Sequence, residues 1–362
     1  MSVLRQASSA CFVAALSLVC AAAIAQTPKA YAVHNLVSNG VVESDHVDPN
    51  MVDTWGVSFN PAGLVWVTNN RSGTSTLYDG LGVPNALVVN VPKASGSGVG
   101  SPTGIVFSGT GDYVVGNGAT SGPSRFIFAS EDGLISGWAP NVDLHNAIGA
   151  AHTPGAVYLG LAVADSSTGS RLYATDYRNG RVDMFDSAFA KLSMAGAFVD
   201  PKLPKGMVPF GIQALSNQLY VTYIRAGDYK TDISSLRTGE GVDSVVSVFD
   251  SEGRFLRRAV TGDVLRQPWG LAVAPANFGV YSNRLLVADF HEGTINAYDR
   301  NTGKRVGTLK DADGHQLKVP GIWGMQFGNG INSQPLNTLF FAAGPNGEGG
   351  GVYGSITAVP AR

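Results

Sequence analysis

Six short apolar segments of this 362-residue chain carry a glycine in the same local setting: TWGVSF at Gly56, PTGIVF at Gly104, YLGLAV at Gly160, PFGIQA at Gly211, PWGLAV at Gly270 and IWGMQF at Gly324. Successive glycines lie 48, 56, 51, 59 and 54 residues apart. Self-similarity at such a period marks an internal repeat, and the length suits a unit of four short strands joined by modest loops.

Each copy continues in a recognisable frame. Residues 171–186 (RLYATDYRNGRVDMFD) align with 284–299 (RLLVADFHEGTINAYD): an apolar strand, Asp-x-x-x-Gly, an alternating strand, then an aromatic residue followed by Asp. The first copy keeps the frame at 64–79, the second at 126–138 with a shorter turn, and the fourth keeps SVVSVFD at 244–250 after a long insertion. Alternating polarity bounded by Gly, Asn, Asp and Ser is a strand signal, and no stretch after the leader sustains a helical period. The expected fold is all-β, a six-bladed β-propeller of four-stranded antiparallel blades. The frame resembles NHL repeats and their six-bladed relatives, and its Trp-Gly copies behind a leader look like an uncharacterised family of bacterial exported propellers. Propellers of this kind host lactonases, lyases, scaffolds and binding modules, so the resemblance speaks to fold before function.

Residues 1–25 hold one basic residue, Arg5, an apolar run and Ala23-Ile24-Ala25, the pattern of a secretory signal cleaved at about Ala25/Gln26. A lipoprotein alternative at Cys20 meets a bulky Val19 where a small residue is wanted. The expected product is a single domain, 26–362, periplasmic or extracellular. Both cysteines, Cys11 and Cys20, lie in the leader, so disulfides and thiolate metal sites are not expected in the mature chain. With 24 basic and 27 acidic side chains after the leader, nucleic acid is an unsuitable partner. No second apolar stretch reaches the roughly 18–20 residues of a membrane span, and a monomer is expected.

The chain ends also imply how the ring closes. Only 38 residues follow Gly324, enough for strands at 338–344 and 351–359 but not for a fourth. Residues 31–37 have strand character and no blade of their own, so pairing them beside 351–359 would complete the last blade and cover its edge. The remaining fourth strands are expected near 86–91, 142–148, 192–199, 254–260 and 304–309.

Function is expected on the face formed by the loops into the inner strands and those joining second to third strands. Trp55, Phe210, Trp269 and Trp323 share the register before the glycine, either lining the channel mouth as a stacking surface or packing between blades. Asn69, Arg178, Arg225 and His291 are further ligand-binding candidates on the second-to-third loops. The segment 43–55 is dense in oxygen ligands, including Glu43, Asp45, Asp48 and Asp53; with Asn69, Asp176 and Asp289 these are the groups available to a hard cation such as Ca²⁺. Asp and Asn in such turns also cap their own backbone, and Asp311-Ala312-Asp313-Gly314-His315 reads first as a turn. Residues 225–243 form a long charged connection suited to a lid or partner-binding role. No nucleophile elbow, Walker loop, HExxH helix or dinucleotide turn occurs. The leading expectation is a module binding a small molecule or protein through the loop face. A Ca²⁺-dependent lactonase or ester hydrolase, implied by resemblance to gluconolactonase and paraoxonase propellers, is the alternative. A propeller lyase is a weaker third.

Overall fold

The computed structural model describes residues 27–226, 244–261 and 264–362. The leader and residues 227–243 of the long connection lie outside them. Six antiparallel sheets stand around a central axis, each with its first strand innermost. Blade 1 runs outward from Thr54–Phe59 through Val65–Asn69 and Thr74–Tyr78 to Pro84–Asn90. The other inner strands are Pro102–Phe107, Tyr158–Ser166, Met207–Leu215, Pro268–Val273 and Ile322–Phe327. Neighbouring blades enclose six separate apolar cores, and a seventh cluster fills the axis.

The repeat glycine is what lets the inner strands meet. A β-carbon on Gly324 would stand 2.6 Å from the Trp55 carbonyl oxygen, and one on Gly56 2.8 Å from that of Thr103. Gly211 and Gly270 abut the carbonyls of Trp269 and Trp323, while Gly104 and Gly160 abut the backbone nitrogens of Leu161 and Ile212. Each inner strand thus touches the next, from blade 6 back to blade 1. The ladder to the second strand breaks at the same point, for example between Thr54 and Val57 and between Ile322 and Met325. Such a bulge frees a glycine N–H. Thr68 and Thr222 hydroxyls accept it in blades 1 and 4, at 2.7 and 2.8 Å, and Thr68 also donates to the Thr103 carbonyl of blade 2.

The aromatic-Asp ending has an equally local cause. Asp79, Asp186, Asp250 and Asp299 each accept two backbone N–H groups of the following hairpin, fixing the turn into the fourth strand. Blade 2 has Trp138-Ala139 instead, and its chain departs from expectation. Asp143 caps His145 and Asn146 in a turn across 142–146, so the fourth strand is Ile148–His152 rather than 142–148. Blade 3 has only Lys191–Leu192 as its outer strand, because the chain turns at Met194–Ala197 with Gly196 at φ 78°. An extra hairpin, Val114–Gly116 with Ser121–Pro123, sits inside blade 2.

Ring closure follows the expected pairing. Ala30–Ser38 lies antiparallel to Val352–Val359, from Ala30 opposite Val359 to Ser38 opposite Val352. Beyond it His46–Val47 adds a short parallel fifth strand to blade 6. Tyr31 anchors the closing strand to blade 5, donating its hydroxyl to the Phe278 carbonyl at 2.9 Å and packing on Phe278 and Tyr281.

Two outcomes test this architecture. Gly324→Ala is expected to cost about 1–3 kcal/mol or more in denaturant melts, as overpacking against backbone does. Gly111→Ala, with nothing within 4 Å of the added carbon, should stay within about 0.5 kcal/mol of wild type. Deleting residues 30–38 should lower the melting temperature severely, since it exposes an edge and empties the Tyr31 site; an unchanged melt would contradict the closure.

Candidate functional site at the loop-face end of the channel

The register before the glycine points to the axis, as one of the two expectations held, but its rings do not line an open mouth. Trp55, Phe210 and Trp323 are fully buried and Trp269 is 9% exposed. Trp323 is sandwiched between Trp55, at 3.7 Å between ring centres, and Phe290, at 4.0 Å. Trp269 meets both tryptophans edge-on at 6.3 and 5.9 Å, and its Nε1–H donates across the axis to the Leu159 carbonyl at 2.9 Å. Close approach of the inner strands leaves so narrow an axis that these rings plug it.

The conspicuous carboxylates are engaged within their own blades. Asp176 accepts the Val157 and Asn179 backbone N–H groups and pairs with Arg181, while Asp289 accepts those of Arg266, Gln267 and Glu292. Both clamp the loop leading into their inner strand, the capping role that Asp has in such turns. Asp48 accepts the Tyr78 hydroxyl at 2.7 Å and both Asn50 N–H groups. The expected convergence of Asp48, Asp176 and Asp289 on one cation is therefore not found. Among the described residues no set of three or more His, Cys, Asp or Glu groups is arranged to hold a metal. Glu43 lies at the outer edge of blade 6, its carbonyl accepting from the Asn35 amide, and Asp45 pairs there with His34 at 2.8 Å. Asn69 is buried and donates to Thr74 and Thr76. Arg178 and Arg225 are exposed on blades 3 and 4, and His291 lies 3.9 Å from Glu292 on blade 5. The 311–315 cluster is a turn in which Asp311 caps Asp313 and His315.

What the loops do bring together is Asp53 of blade 1, Glu348 of blade 6 and Glu131 of blade 2, with Asn70 and Arg71 between them. Arg71 Nη2 lies 2.8 Å from Glu348 Oε2 and its Nε 3.8 Å from Asp53 Oδ2; Asn70 Nδ2 donates to Glu131 Oε1 at 2.7 Å. Asp53 and Glu348 are almost wholly buried, and both adopt left-handed backbone, φ 55° and 64°. That conformation is strained for residues with a β-carbon. The Asp53 N–H donates to the Gly350 carbonyl and its own carbonyl accepts from Asn70, which pins the strained residue in place.

Burial pushes the Asp53 carboxyl well above its ordinary range, Glu348 and Glu131 adding to the rise; the Trp55 indole and Arg71 oppose it. The Trp55 N–H nevertheless makes no hydrogen bond of acceptable geometry. Burial likewise pushes Glu131 up to about 7, against the Asn70 hydrogen bond. Asp53 Oδ1, Trp55 Nε1 and Trp323 Nε1 are all buried with no hydrogen-bond partner. Asp53 Oδ1 and Trp323 Nε1 flank Gly344, where an added β-carbon would collide with the first and lie 3.5 Å from the second, and the Trp55 indole adjoins Asp53. A neutral Asp53 can donate as well as accept, and a carboxyl poised near 7 can give or take a proton at neutral pH. Glu348 escaped sequence reasoning because it occupies no repeated position. Its one signal was membership, with Asn70, Arg71 and Glu131, of the second-to-third loops of three blades made adjacent by ring closure.

No protein-family model matches the chain. It is 30% identical over 339 residues to uncharacterized protein R648 of Acanthamoeba polyphaga mimivirus, covering 90% of this chain and 79% of that protein. The chain belongs to the family of that protein. Uncharacterized protein L690 of the same virus is 29% identical over 332 residues, with 90% and 85% covered. Uncharacterized protein R640 is 30% identical over 267 residues, of which this chain spans about half, 48%. These relatives are viral, not bacterial. Among solved structures the fold is similar to a streptogramin B lyase, with TM-score 0.50, 12% identity, and 91% of this chain and 97% of that one covered. It is also similar to a catalytically inactive virginiamycin B lyase from Staphylococcus aureus with quinupristin, with TM-score 0.51, 11% identity, and 91% and 99% covered. At that identity the likeness is one of fold.

The raised carboxyls have a measurable consequence. Between about 4.5 and about 7 the folded chain keeps a proton on Glu131 that the unfolded chain has released, so stability falls as pH rises through that window. Glu131→Gln should flatten part of this slope and leave the variant more stable than wild type above the window, by on the order of 1–2 kcal/mol. Urea melts below and above the window check it; an unchanged slope would contradict the burial of Glu131.

Proposed function

We propose that the chain is an exported propeller that binds a ligand on its loop face, at the channel mouth shared by blades 6, 1 and 2. The supporting observation is the group of buried, unpartnered atoms Asp53 Oδ1, Trp55 Nε1 and Trp323 Nε1. Leaving a buried donor or acceptor unmet costs about 1–3 kcal/mol each, so a fold that keeps three together has a polar occupant to meet them. Strained backbone at Asp53 and Glu348 fits the same assignment, because strain of this kind collects at ligand clamps. The leader supports export. Half-exposed Arg71 offers the ligand a cationic contact at the rim.

The direct test is a thermal-shift screen of the mature chain against polyols, hydroxy acids, lactones and amines. Stabilisation by about 2.7 kcal/mol is expected for a true ligand at a hundred times its dissociation constant. Trp323→Phe keeps an aromatic ring but removes the N–H, and should abolish the shift. Equal stabilisation of wild type and Trp323→Phe would contradict the site.

A propeller-type lyase is favoured by one observation, the Glu131 carboxyl near 7 beside Asn70, which suits proton abstraction at neutral pH. Glu131→Gln would then lose turnover of the screened ligand while retaining its thermal shift. No observation favours the calcium-dependent lactonase, since Asp48, Asp176 and Asp289 serve their own blades.

A further inference from the structure

The opposite end of the channel differs from the plugged mouth. Past the repeat glycine, the residue two positions on lines the axial cavities in all six blades: Ser58, Val106, Ala162, Gln213, Ala272 and Gln326. Four of these are small or β-branched, so the axis opens into two adjoining cavities of about 160 and about 270 Å³ that share Gln213, Ala214 and Gln326. No Asp, Glu, Lys, Arg or His lines either one. The other lining side chains are mainly apolar, with Phe59, Ile105 and Phe107 on one side and Leu271, Met325 and Phe327 on the other, while Ser58, Ser216 and backbone groups make the exposed surface of the two together at least as polar as apolar.

Gln213 and Gln326 stand out against such walls. Each adjoins both cavities, and neither side-chain amide has a hydrogen-bond partner among the described residues. Each amide offers one acceptor oxygen and two donor hydrogens. A concavity walled by apolar side chains, in which a few polar groups converge, is the usual form of a small-molecule site. Charge is not the recognition element, because no charged side chain lines either cavity to pair with an ion. Size is bounded as well: an apolar cavity of about 150 Å³ admits one benzene ring. The complement of a primary amide in hydrogen bonding is another amide edge, with its N–H and carbonyl side by side.

We propose that this end of the channel binds a neutral ring compound carrying a cis-amide edge, a lactam or imide, held by Gln213 and Gln326 with the ring against the apolar wall. The site is independent of the loop-face mouth, from which the aromatic plug separates it. The test is saturation-transfer NMR on the mature chain with 2-pyridone as probe, beside toluene, benzoate and benzylammonium as size-matched apolar, anionic and cationic comparators. 2-Pyridone should bind in preference to all three. Gln213→Leu and Gln326→Leu, each checked for an unchanged melt, should weaken it about tenfold, about 1.4 kcal/mol, without weakening toluene. Should one variant fail to fold, the other carries the comparison. Equal binding by any comparator, an unchanged 2-pyridone affinity in the folded variants, or no 2-pyridone binding would each overturn the proposal.

Discussion

Backbone contact between neighbouring inner strands organises this molecule. At Gly324 the approach to the Trp55 carbonyl leaves no room for a β-carbon; the same holds at four more of the six repeat glycines, and Gly160 is nearly as tight, 3.1 Å from the Ile212 nitrogen. Van der Waals contact of this kind is short-ranged, so one displaced strand would lose its fit to both neighbours. The six inter-blade cores sit outside this ring and depend on it for their alignment. Closure by Ala30–Ser38 completes the outside of blade 6 as Gly324 and Gly56 complete the inside.

The ring also decides what each end of the axis can do. A bulge at the glycine aims the preceding side chain inward, and in four blades that side chain is aromatic, so the loop-face end fills with Trp55, Phe210, Trp269 and Trp323. The loops above have little space, and Asp53 and Glu348 are held in left-handed backbone and out of water. The raised pKa of Asp53 and the unmet indole N–H groups are consequences of that crowding. At the far end the residues that line the axis are Ser, Val, Ala and Gln, and the channel stays open.

What repeats was readable from the sequence. Glycine spacing, the Asp-x-x-x-Gly turn and the shortage of strands after Gly324 are periodic or arithmetic features, and blade number and ring closure follow from them. Asp176 and Asp289 drew notice for the same reason, yet a residue required in several blades serves the blade: both clamp the loop ahead of an inner strand. Asp53, Glu131 and Glu348 occupy unlike positions in blades 1, 2 and 6 and are brought together only by closure. The fourth strands of blades 2 and 3 departed from expectation because local caps at Asp143 and a turn at Gly196 outweighed apolar pattern.

Family membership with the mimivirus proteins places this architecture beyond a single chain, while the chemistry at the mouth rests on residues of this one. The central claim is that ring closure buries Asp53 deeply enough to keep its carboxyl protonated where surface carboxyls are ionised. Infrared difference spectroscopy between wild type and Asp53→Asn, at a pH just above the ordinary carboxylate range, reads this directly. A protonated-carboxyl carbonyl band present in wild type and absent from the variant is the predicted result. A carboxylate band in its place would show Asp53 ionised and contradict the account.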